Sequence, residues 1–335
     1  MTDPSLAMPA KGRRRQPGQP RPTGRTADQD LNQAVGLGWR SRLVLILISL
    51  AGLAMFAWPL WVPATADGAG TPAPWMFMVL LPALIVLLLA QIADQGIDVK
   101  ALAMLAVLSA VNAALRPLGA GTAGIETVFF LLILAGRVFG AAFGFLLGCT
   151  SLFASALLTA GVGPWMPFQM LASAWIGAGA GLLPKRWGRR PIGPGVELAM
   201  LAVYGVLVSY LYGAIMNLWF WPFMVGLGSD SSLAYQPGGS LAVNLWHFLL
   251  YTLLTSTAVW DSGRAITTVI LLLILGRPVL AVLRRTVRRA RFDPEVLFEP
   301  AGAASWQPAR DQSRPASGPP EMSSRAAVIS GGKAI

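Results

Sequence analysis

The sequence predicts an all-α polytopic membrane protein, and two observations lead to this prediction. Hydrophobic residues make up 55% of the chain and charged residues only 12%, whereas a soluble domain carries about 25% charged residues. Long apolar runs also recur along the chain, separated by short segments rich in glycine, proline or tryptophan. A transmembrane helix needs about 20 apolar residues, and most of these runs approach that length.

The apolar runs number nine and lie between two polar tails. They cover about 42–62, 75–93, 99–117, 125–137, 138–160, 165–184, 195–222, 241–259 and 262–283. The tails, 1–40 and 293–335, are too polar to bury a core, and we predict that both are disordered. We expect two N-terminal transmembrane helices within 41–95 and a larger membrane domain over 96–292.

The distribution of lysine and arginine predicts the orientation of the chain. The N-terminal tail and the loop from Lys185 to Arg190 are basic, whereas 63–74 and 223–240 contain neither residue. Because basic loops stay in the cytoplasm, we expect both termini there. If 241–259 and 262–283 both crossed, the arginines after 283 would lie outside, so 241–259 is interpreted as an interfacial or re-entrant outer helix, leaving eight crossings.

Several function classes lack the residues that they need. The chain has one cysteine and one histidine, so a disulfide within the chain and a metal centre built from several imidazoles are both excluded. No Gly-x-x-x-x-Gly-Lys-Ser/Thr phosphate loop is present. We therefore predict no catalytic residues, no metal and no cofactor. The arginine runs beside membrane spans favour anionic lipid, not nucleic acid, as their partner.

The interruptions between helices are the candidate recognition elements, because irregular backbone in a membrane lies at an interface or lines a cavity. Those on the outer side are 116–126, 163–169, 217–223 and 244–264. Polar, charged and aromatic residues in these segments are the predicted substrate contacts. They are Arg116, Glu126, Trp165, Phe168, Gln169, Asn217, Trp219, His247, Asp261 and Arg264.

Some of these residues also have a structural interpretation. Asp261 and Arg264 are three residues apart on one helix and can form an ion pair with each other. The position of His247 favours a hydrogen-bonded interfacial residue over a ligand contact. Trp219, Trp221 and Trp246 suit an aromatic belt at the lipid interface as well as a binding site. Trp165 is assigned to the recognition site because the prolines around it make a rigid turn.

Two helices carry strips of small residues at every fourth position. Ala106, Ala110 and Ala114 form one strip, and Gly140, Gly144 and Gly148 form the other. Such strips let a second helix approach closely, either within the same chain or on a partner. We expect the glycine strip to pack internally, whereas for the alanine strip both possibilities stay open at this point.

Three stretches together carry a resemblance to a known family. They are Asn112-Ala-Ala-Leu-Arg-Pro-Leu-Gly119, Gly161-Val-Gly-Pro-Trp-Met-Pro-Phe-Gln169 and Trp175-Ile-Gly-Ala-Gly-Ala-Gly-Leu-Leu-Pro184 before a basic loop. Over about 99–284 the chain resembles the substrate-binding S components of energy-coupling factor (ECF) vitamin transporters. The resemblance implies a six-helix core, to which the two N-terminal helices are additions.

The resemblance also implies a function. Such a subunit binds a vitamin at the outer face of the bacterial plasma membrane and docks, through its alanine strip, on a membrane scaffold subunit driven by two ATPases. Outer loops richer in apolar and aromatic groups than in charge suit a large vitamin such as cobalamin. Two other functions stay open: an ion-coupled secondary transporter, and a membrane scaffold that binds partners through its basic tails.

Overall fold

The computed structural model describes residues 39–61, 99–119, 124–188, 190–223, 232–236 and 238–290, together with residues 79 and 83. The helices are α1 (Trp39–Phe56), α2 (Trp58–Trp61), α3 (Val99–Leu115), α4 (Phe129–Phe139), α5 (Ala141–Leu158), α6 (Met166–Leu182), α7 (Pro194–Phe220), α8 (Leu241–Thr252) and α9 (Ser262–Ala290). Short 3₁₀ helices follow α3 (Arg116–Leu118) and α7 (Trp221–Phe223), and a π-helix (Leu253–Asp261) joins α8 to α9. The antiparallel strands β1 (Arg186–Trp187) and β2 (Arg190–Pro191) lie between α6 and α7.

The predicted class of helical membrane protein is confirmed. Within the described ranges, four helical segments are long and apolar enough to cross a membrane: Val99–Leu118, Ala141–Leu158, Pro194–Phe223 and Leu241–Arg288. Leu45–Phe56 and Phe129–Phe139 are shorter apolar helices. The described residues belong to the compact unit Met1–Arg291. Of the two predicted tails the structure describes only Trp39 and Arg40, which begin α1 and are helical. The rest of both tails, and the predicted helix at 75–93 apart from residues 79 and 83, lie outside the described residues.

The predicted break between 259 and 262 is wrong. Leu241–Arg288 is one continuous helical segment of 48 residues, about 72 Å long at 1.5 Å per residue. The Ser/Thr-rich stretch inside it suggests a break, but these hydroxyls donate to carbonyls of their own helix, as Thr255 does to Tyr251 (2.7 Å). Since the hydrocarbon core is about 30 Å thick, a segment of this length is long enough to cross once with Leu241 and Arg284 on opposite sides. A single crossing is compatible with the basic residues after 283 in the cytoplasm.

A hairpin at Gly140 joins α4 to α5. Gly140 has φ 97°, a conformation that favours glycine, and it reverses the chain so that Gly136 and Gly144 face each other. A Cβ added to Gly144 would lie 3.0 Å from Gly136 Cα and would overlap the Gly177 carbonyl of α6. All 11 residues of α4 are buried. With a length of about 16 Å, α4 is too short to cross the hydrocarbon by itself.

The two small-residue strips have opposite environments. Gly144 and Gly148 lie against the backbone of α6 at Gly177 and Ala174, so the expected internal packing of the glycine strip is confirmed. Ala106, Ala110 and Ala114 are all exposed. The alanine strip therefore does not serve internal packing within the described bundle, and α3 presents it on an outer face.

The first helix is an integral part of the bundle. Trp175 of α6 donates from Nε1 to Ser49 Oγ of α1 at 3.0 Å. Just beyond α1, Trp58 donates from Nε1 to the Trp219 carbonyl of α7 at 3.0 Å. The ring of Phe56 meets that of Phe168 edge-on, with 5.0 Å between centroids. These contacts give α1 a packing role that its sequence did not reveal.

Candidate functional site

A cavity of about 130 Å³ lies between helix ends on one side of the bundle, and it is the candidate site. Segments that are distant in sequence converge on it: the turn after α3, the connection before α4, and helices α4, α5, α6, α7 and α9. Its walls are formed by Arg116, Glu126, Val128, Phe129, Leu152, Gln169, Ser173, Tyr212 and Arg264. Four predicted recognition residues, Arg116, Glu126, Gln169 and Arg264, therefore meet in one place.

Arg116 and Gln169 form one side of the cavity. Arg116 lies in the 3₁₀ turn after α3, and its Nη2 donates to Gln169 Oε1 at 2.6 Å. Gln169 belongs to the first turn of α6, whose start is set by the turn from Gly163 to Trp165. This hydrogen bond orients the Gln169 amide and leaves its NH₂ group available as a donor.

Glu126 contributes the carboxylate of the cavity from the connection between α3 and α4. Its Oε1 accepts a hydrogen bond from the backbone N–H of Val128 at 3.0 Å. Burial raises the pKa of this carboxyl, while the positive charges of Arg264 and Arg116 act in the opposite direction. Glycine at 124 lets this connection pass close to the π-helix, because a Cβ there would overlap the Trp260 carbonyl and φ is 76°.

Arg264 is held in place by Asp261, as the ion-pair interpretation of this spacing predicts. Arg264 Nη1 donates to Asp261 Oδ1 at 2.7 Å, and Asp261 Oδ2 accepts from Ser256 Oγ at 3.0 Å. Asp261 is 1% exposed. Its carboxylate occupies the space that a side chain at Gly213 would fill. Asp261 is therefore a positioning residue, and it does not line the cavity itself.

Arg264 also contacts two aromatic rings of the cavity wall. Its guanidinium carbon lies 4.9 Å from the centroid of Tyr212 and 5.8 Å from that of Phe129, which is cation–π distance. Among the described residues, its buried Nε has no hydrogen-bond partner. A buried donor without a partner is costly, so Arg264 retains capacity to bind an acceptor.

Five cavity residues escaped the sequence prediction, and two of them, Ser173 and Tyr212, are polar. Ser173 lies four residues after Gln169 in α6 and therefore on the same helix face, a spacing that could have revealed it. Tyr212 lies in the middle of the apolar helix α7, and only the packing of α7 against α4 and α9 places it at the cavity.

The structure places the other predicted recognition residues away from the cavity walls. Trp165 is 42% exposed and lies over Gly163. Phe168 and Trp219 stack on each other in the core, with centroids 4.4 Å apart and planes 3° apart. His247 Nδ1 donates to the Ala234 carbonyl at 2.9 Å, as its interfacial interpretation predicts. Asn217 is partly buried, and its Nδ2 has no hydrogen-bond partner among the described residues.

A second charged cluster lies at the opposite end of α7 and α9. Glu197 accepts from Arg137 Nε at 2.8 Å and from Arg284 Nη2 at 2.6 Å and 2.7 Å through its two oxygens. Arg137 also donates to the Leu183 carbonyl at 2.8 Å and is 4% exposed. Within the described bundle, Glu197 and the Leu183 carbonyl therefore pair with the buried guanidinium of Arg137.

The two charged clusters are separated by roughly the thickness of a bilayer core. Arg264 and Arg284 lie on the same helix, α9, about 30 Å apart along its axis. The hydrocarbon core is also about 30 Å thick. The cavity and the Glu197 cluster therefore match the two faces of a membrane. No group of three or more His, Cys, Asp or Glu among the described residues is placed to hold a metal ion.

The fold and the site define a helical membrane protein with a small charged cavity enclosed by its helix ends. Comparisons with protein-family models, curated proteins and solved structures find no match for this chain.

Proposed function

We propose that this chain is the substrate-binding subunit of an ECF-type importer in the bacterial plasma membrane. The observation that carries the proposal is the convergence of Arg116, Glu126, Gln169 and Arg264 on one cavity. Ionisable groups near hydrocarbon are costly, and those that occur normally face a cavity or a partner. Here three ionisable residues and Gln169 come from four separate segments and surround one space.

The chemistry of the cavity indicates the type of group that it binds. Two guanidinium groups, the amide of Gln169 and the hydroxyl of Tyr212 supply mostly hydrogen-bond donors, against the single carboxylate of Glu126. Such a set suits an acceptor oxygen of a ligand carboxylate or amide. The cavity of about 130 Å³ is smaller than the roughly 300–1,000 Å³ of a typical small-molecule site. It receives one polar end group of a larger vitamin, for which an amide-bearing molecule such as cobalamin is the best candidate.

The positions of the charges support an orientation with both termini in the cytoplasm. Lys185, Arg186, Arg190, Arg284 and Arg288 lie at or near the Glu197 end. Basic segments stay on the cytoplasmic side of a membrane. The cavity then opens at the outer face, where a subunit that captures nutrients needs its binding site.

Energy for uptake comes from partner subunits in this proposal. The chain contains no phosphate loop for nucleotides. The exposed strip of Ala106, Ala110 and Ala114 on α3 lets a helix of a scaffold subunit approach closely. The scaffold subunit would in turn carry the two ATPases.

An ion-coupled secondary transporter is the second candidate, and one observation favours it. The buried Asp261 lies at the end of the π-helix Leu253–Asp261, and departures from α-helical geometry are frequent at functional sites. Such a transporter would move its substrate in proteoliposomes without any ATPase subunit. The substrate-binding subunit of an ECF importer would bind the substrate there without ion-driven uptake.

The first test is recovery of the ligand. We expect that protein purified in detergent from cells grown in rich medium releases a vitamin on denaturation, detected by mass spectrometry. Gln169→Leu lowers the affinity for this vitamin about 10-fold or more, because the buried acceptor of the ligand then has no hydrogen-bond donor, at a cost of about 1–3 kcal/mol. The affinity is measured by titration of the purified variant.

Trp165→Leu is the matched control for this test, because Trp165 lies one turn earlier and outside the cavity walls. It leaves the affinity unchanged. A loss caused by Trp165→Leu alone would place the ligand at the proline-rich turn. A wild-type protein that is empty and binds no member of a vitamin panel would contradict the proposal.

The second test addresses docking. Ala110→Trp fills the exposed alanine strip of α3, and we expect it to prevent co-purification with co-expressed scaffold and ATPase subunits while ligand binding is retained. Val203→Trp adds a similar bulk to an exposed position of α7 and serves as the control. Equal recovery of the scaffold with both variants would exclude the alanine strip as the docking face.

A further inference from the structure

A cleft of about 400 Å³ lies at the Glu197 end of the bundle, and the proposed vitamin-binding function does not involve it. Its volume falls within the range of roughly 300–1,000 Å³ found for small-molecule sites. The ends of α4, α7 and α9 and the β1–β2 hairpin enclose it. The ionisable groups on its walls are Arg137, Lys185, Arg186, Glu197, Arg284 and Arg288.

The cleft carries a strong excess of positive charge. Five of its lining residues are cations, and Glu197 is its single carboxylate. Glu197 is already bound by Arg137 and Arg284, so one negative charge is shared between two cations. Burial, together with the neighbouring charges of Arg137 and Arg284, lowers the pKa of Lys185. An anion in the cleft would relieve this repulsion.

The cleft also has the surroundings of a site at a membrane surface. Apolar walls formed by Val138, Ile192 and Val287 lie beside the cations. The hairpin that closes one side carries Trp187, which is 82% exposed. Exposed tryptophan is enriched at the level of lipid headgroups. The cleft is also about 30 Å along α9 from Arg264, as expected for the second membrane surface.

We propose that this cleft binds the phosphate of an anionic phospholipid. Basic pockets between transmembrane helices on the cytoplasmic side are suited to such headgroups. The cations hold the phosphate, and the apolar walls contact the glycerol and the first acyl carbons. An acidic segment of a protein would neutralise the cations of the cleft, but its carboxylates would make fewer contacts with the apolar walls. This inference does not depend on the proposed transport function.

Native mass spectrometry of the full-length protein in detergent tests the proposal. Phosphatidylglycerol and phosphatidylcholine are added in turn, and retained lipid is counted. We expect wild type to retain phosphatidylglycerol in preference to phosphatidylcholine. The double variant Lys185→Gln, Arg288→Gln binds it about 30-fold more weakly, since each cation near an anionic lipid contributes several-fold to affinity. Both substitutions leave the Arg137–Glu197 and Arg284–Glu197 ion pairs intact, and thermal unfolding verifies that the double variant is folded.

Arg285→Gln is the matched control, because Arg285 is an exposed cation at the same end of α9 that does not line the cleft. It retains phosphatidylglycerol as wild type does. Equal losses in the control and the double variant would indicate non-specific attraction and overturn the proposal. Thermal stabilisation by inorganic phosphate without any lipid preference would overturn the assignment to a phospholipid, as would competition by an acidic peptide but not by phosphatidylglycerol.

Discussion

Replacing Glu197 with glutamine lowers the free energy of unfolding by about 3–5 kcal/mol, because it leaves a buried charge without its partner. Arg137 has a side chain that is 3% exposed and pairs with Glu197 at 2.8 Å. Arg284 is 42% exposed in its side chain and can turn to solvent. The loss of stability therefore comes mainly from Arg137, whose buried charge is left unpaired. Equilibrium unfolding in detergent micelles measures it.

A double-mutant cycle separates this electrostatic cost from a general loss of packing. Arg137→Met combined with Glu197→Met removes both buried charges, and apolar replacement of a buried pair is often neutral or stabilising. We expect the double variant to be more stable than Glu197→Met alone. Arg285→Gln, an exposed change near the end of α9, alters stability by at most about 0.5 kcal/mol. If Glu197→Gln were as mild as Arg285→Gln, the ion pairs would not stabilise the bundle.

Gly177→Val is expected to destabilise the protein by about 3 kcal/mol, at the upper end for over-packing a core. A Cβ at Gly177 overlaps the Gly144 carbonyl and lies 3.0 Å from Gly144 Cα. Because these neighbours are backbone atoms, no side chain can rotate away, and α5 and α6 must separate. The measurement is the midpoint of thermal unfolding of the variant in detergent.

Gly195→Val is the control for this prediction. Gly195 is also a helical glycine, in the first turn of α7, but nothing lies within 4 Å of a Cβ added there. We expect a small change in the unfolding midpoint for this variant. Similar losses in both variants would mean that the helix propensity of valine, and not the α5–α6 contact, determines the effect.

The same two helices, α7 and α9, contribute residues to both charged clusters. Helix α7 supplies Glu197 near its start and Tyr212 further along, and α9 supplies Arg264 near its start and Arg284 near its end. Two side-by-side helices that cross the bilayer core bring polar groups together at each face. The Glu197→Gln and Gln169→Leu experiments therefore probe opposite ends of one scaffold, the first through stability and the second through ligand affinity.

The sequence by itself determined the class of this protein and part of its candidate site. Hydropathy depends only on the residues of a segment itself. Apolar runs therefore predict membrane helices without any knowledge of the segments that pack against them. Charge near hydrocarbon is similarly informative, because a buried ion needs a partner or a cavity. Arg116, Glu126 and Arg264 met this expectation, and Gln169 joined them from the first turn of α6.

The aromatic residues were harder to assign from sequence. Phe168 and Trp219 stack in the core, and Trp165 lies outside the cavity walls. An aromatic ring is stabilised by burial in a core, at a lipid interface or against a ligand, and the local sequence does not distinguish the three. Similarly, the hydroxyl-bearing residues around Thr255 suggest a break in the helix. In the structure the helix is continuous, and the Thr255 hydroxyl donates a hydrogen bond to a carbonyl of the same helix.

Only the tertiary structure decided which charges pair and which small residues are covered. The partners of Glu197 are 60 and 87 residues away, and Tyr212 reaches the cavity only because α7 packs beside α4 and α9. The glycine strip is buried and the alanine strip exposed, although both have the same spacing. Spacing along a helix fixes which residues share a face, but the packing of the other helices fixes what that face contacts.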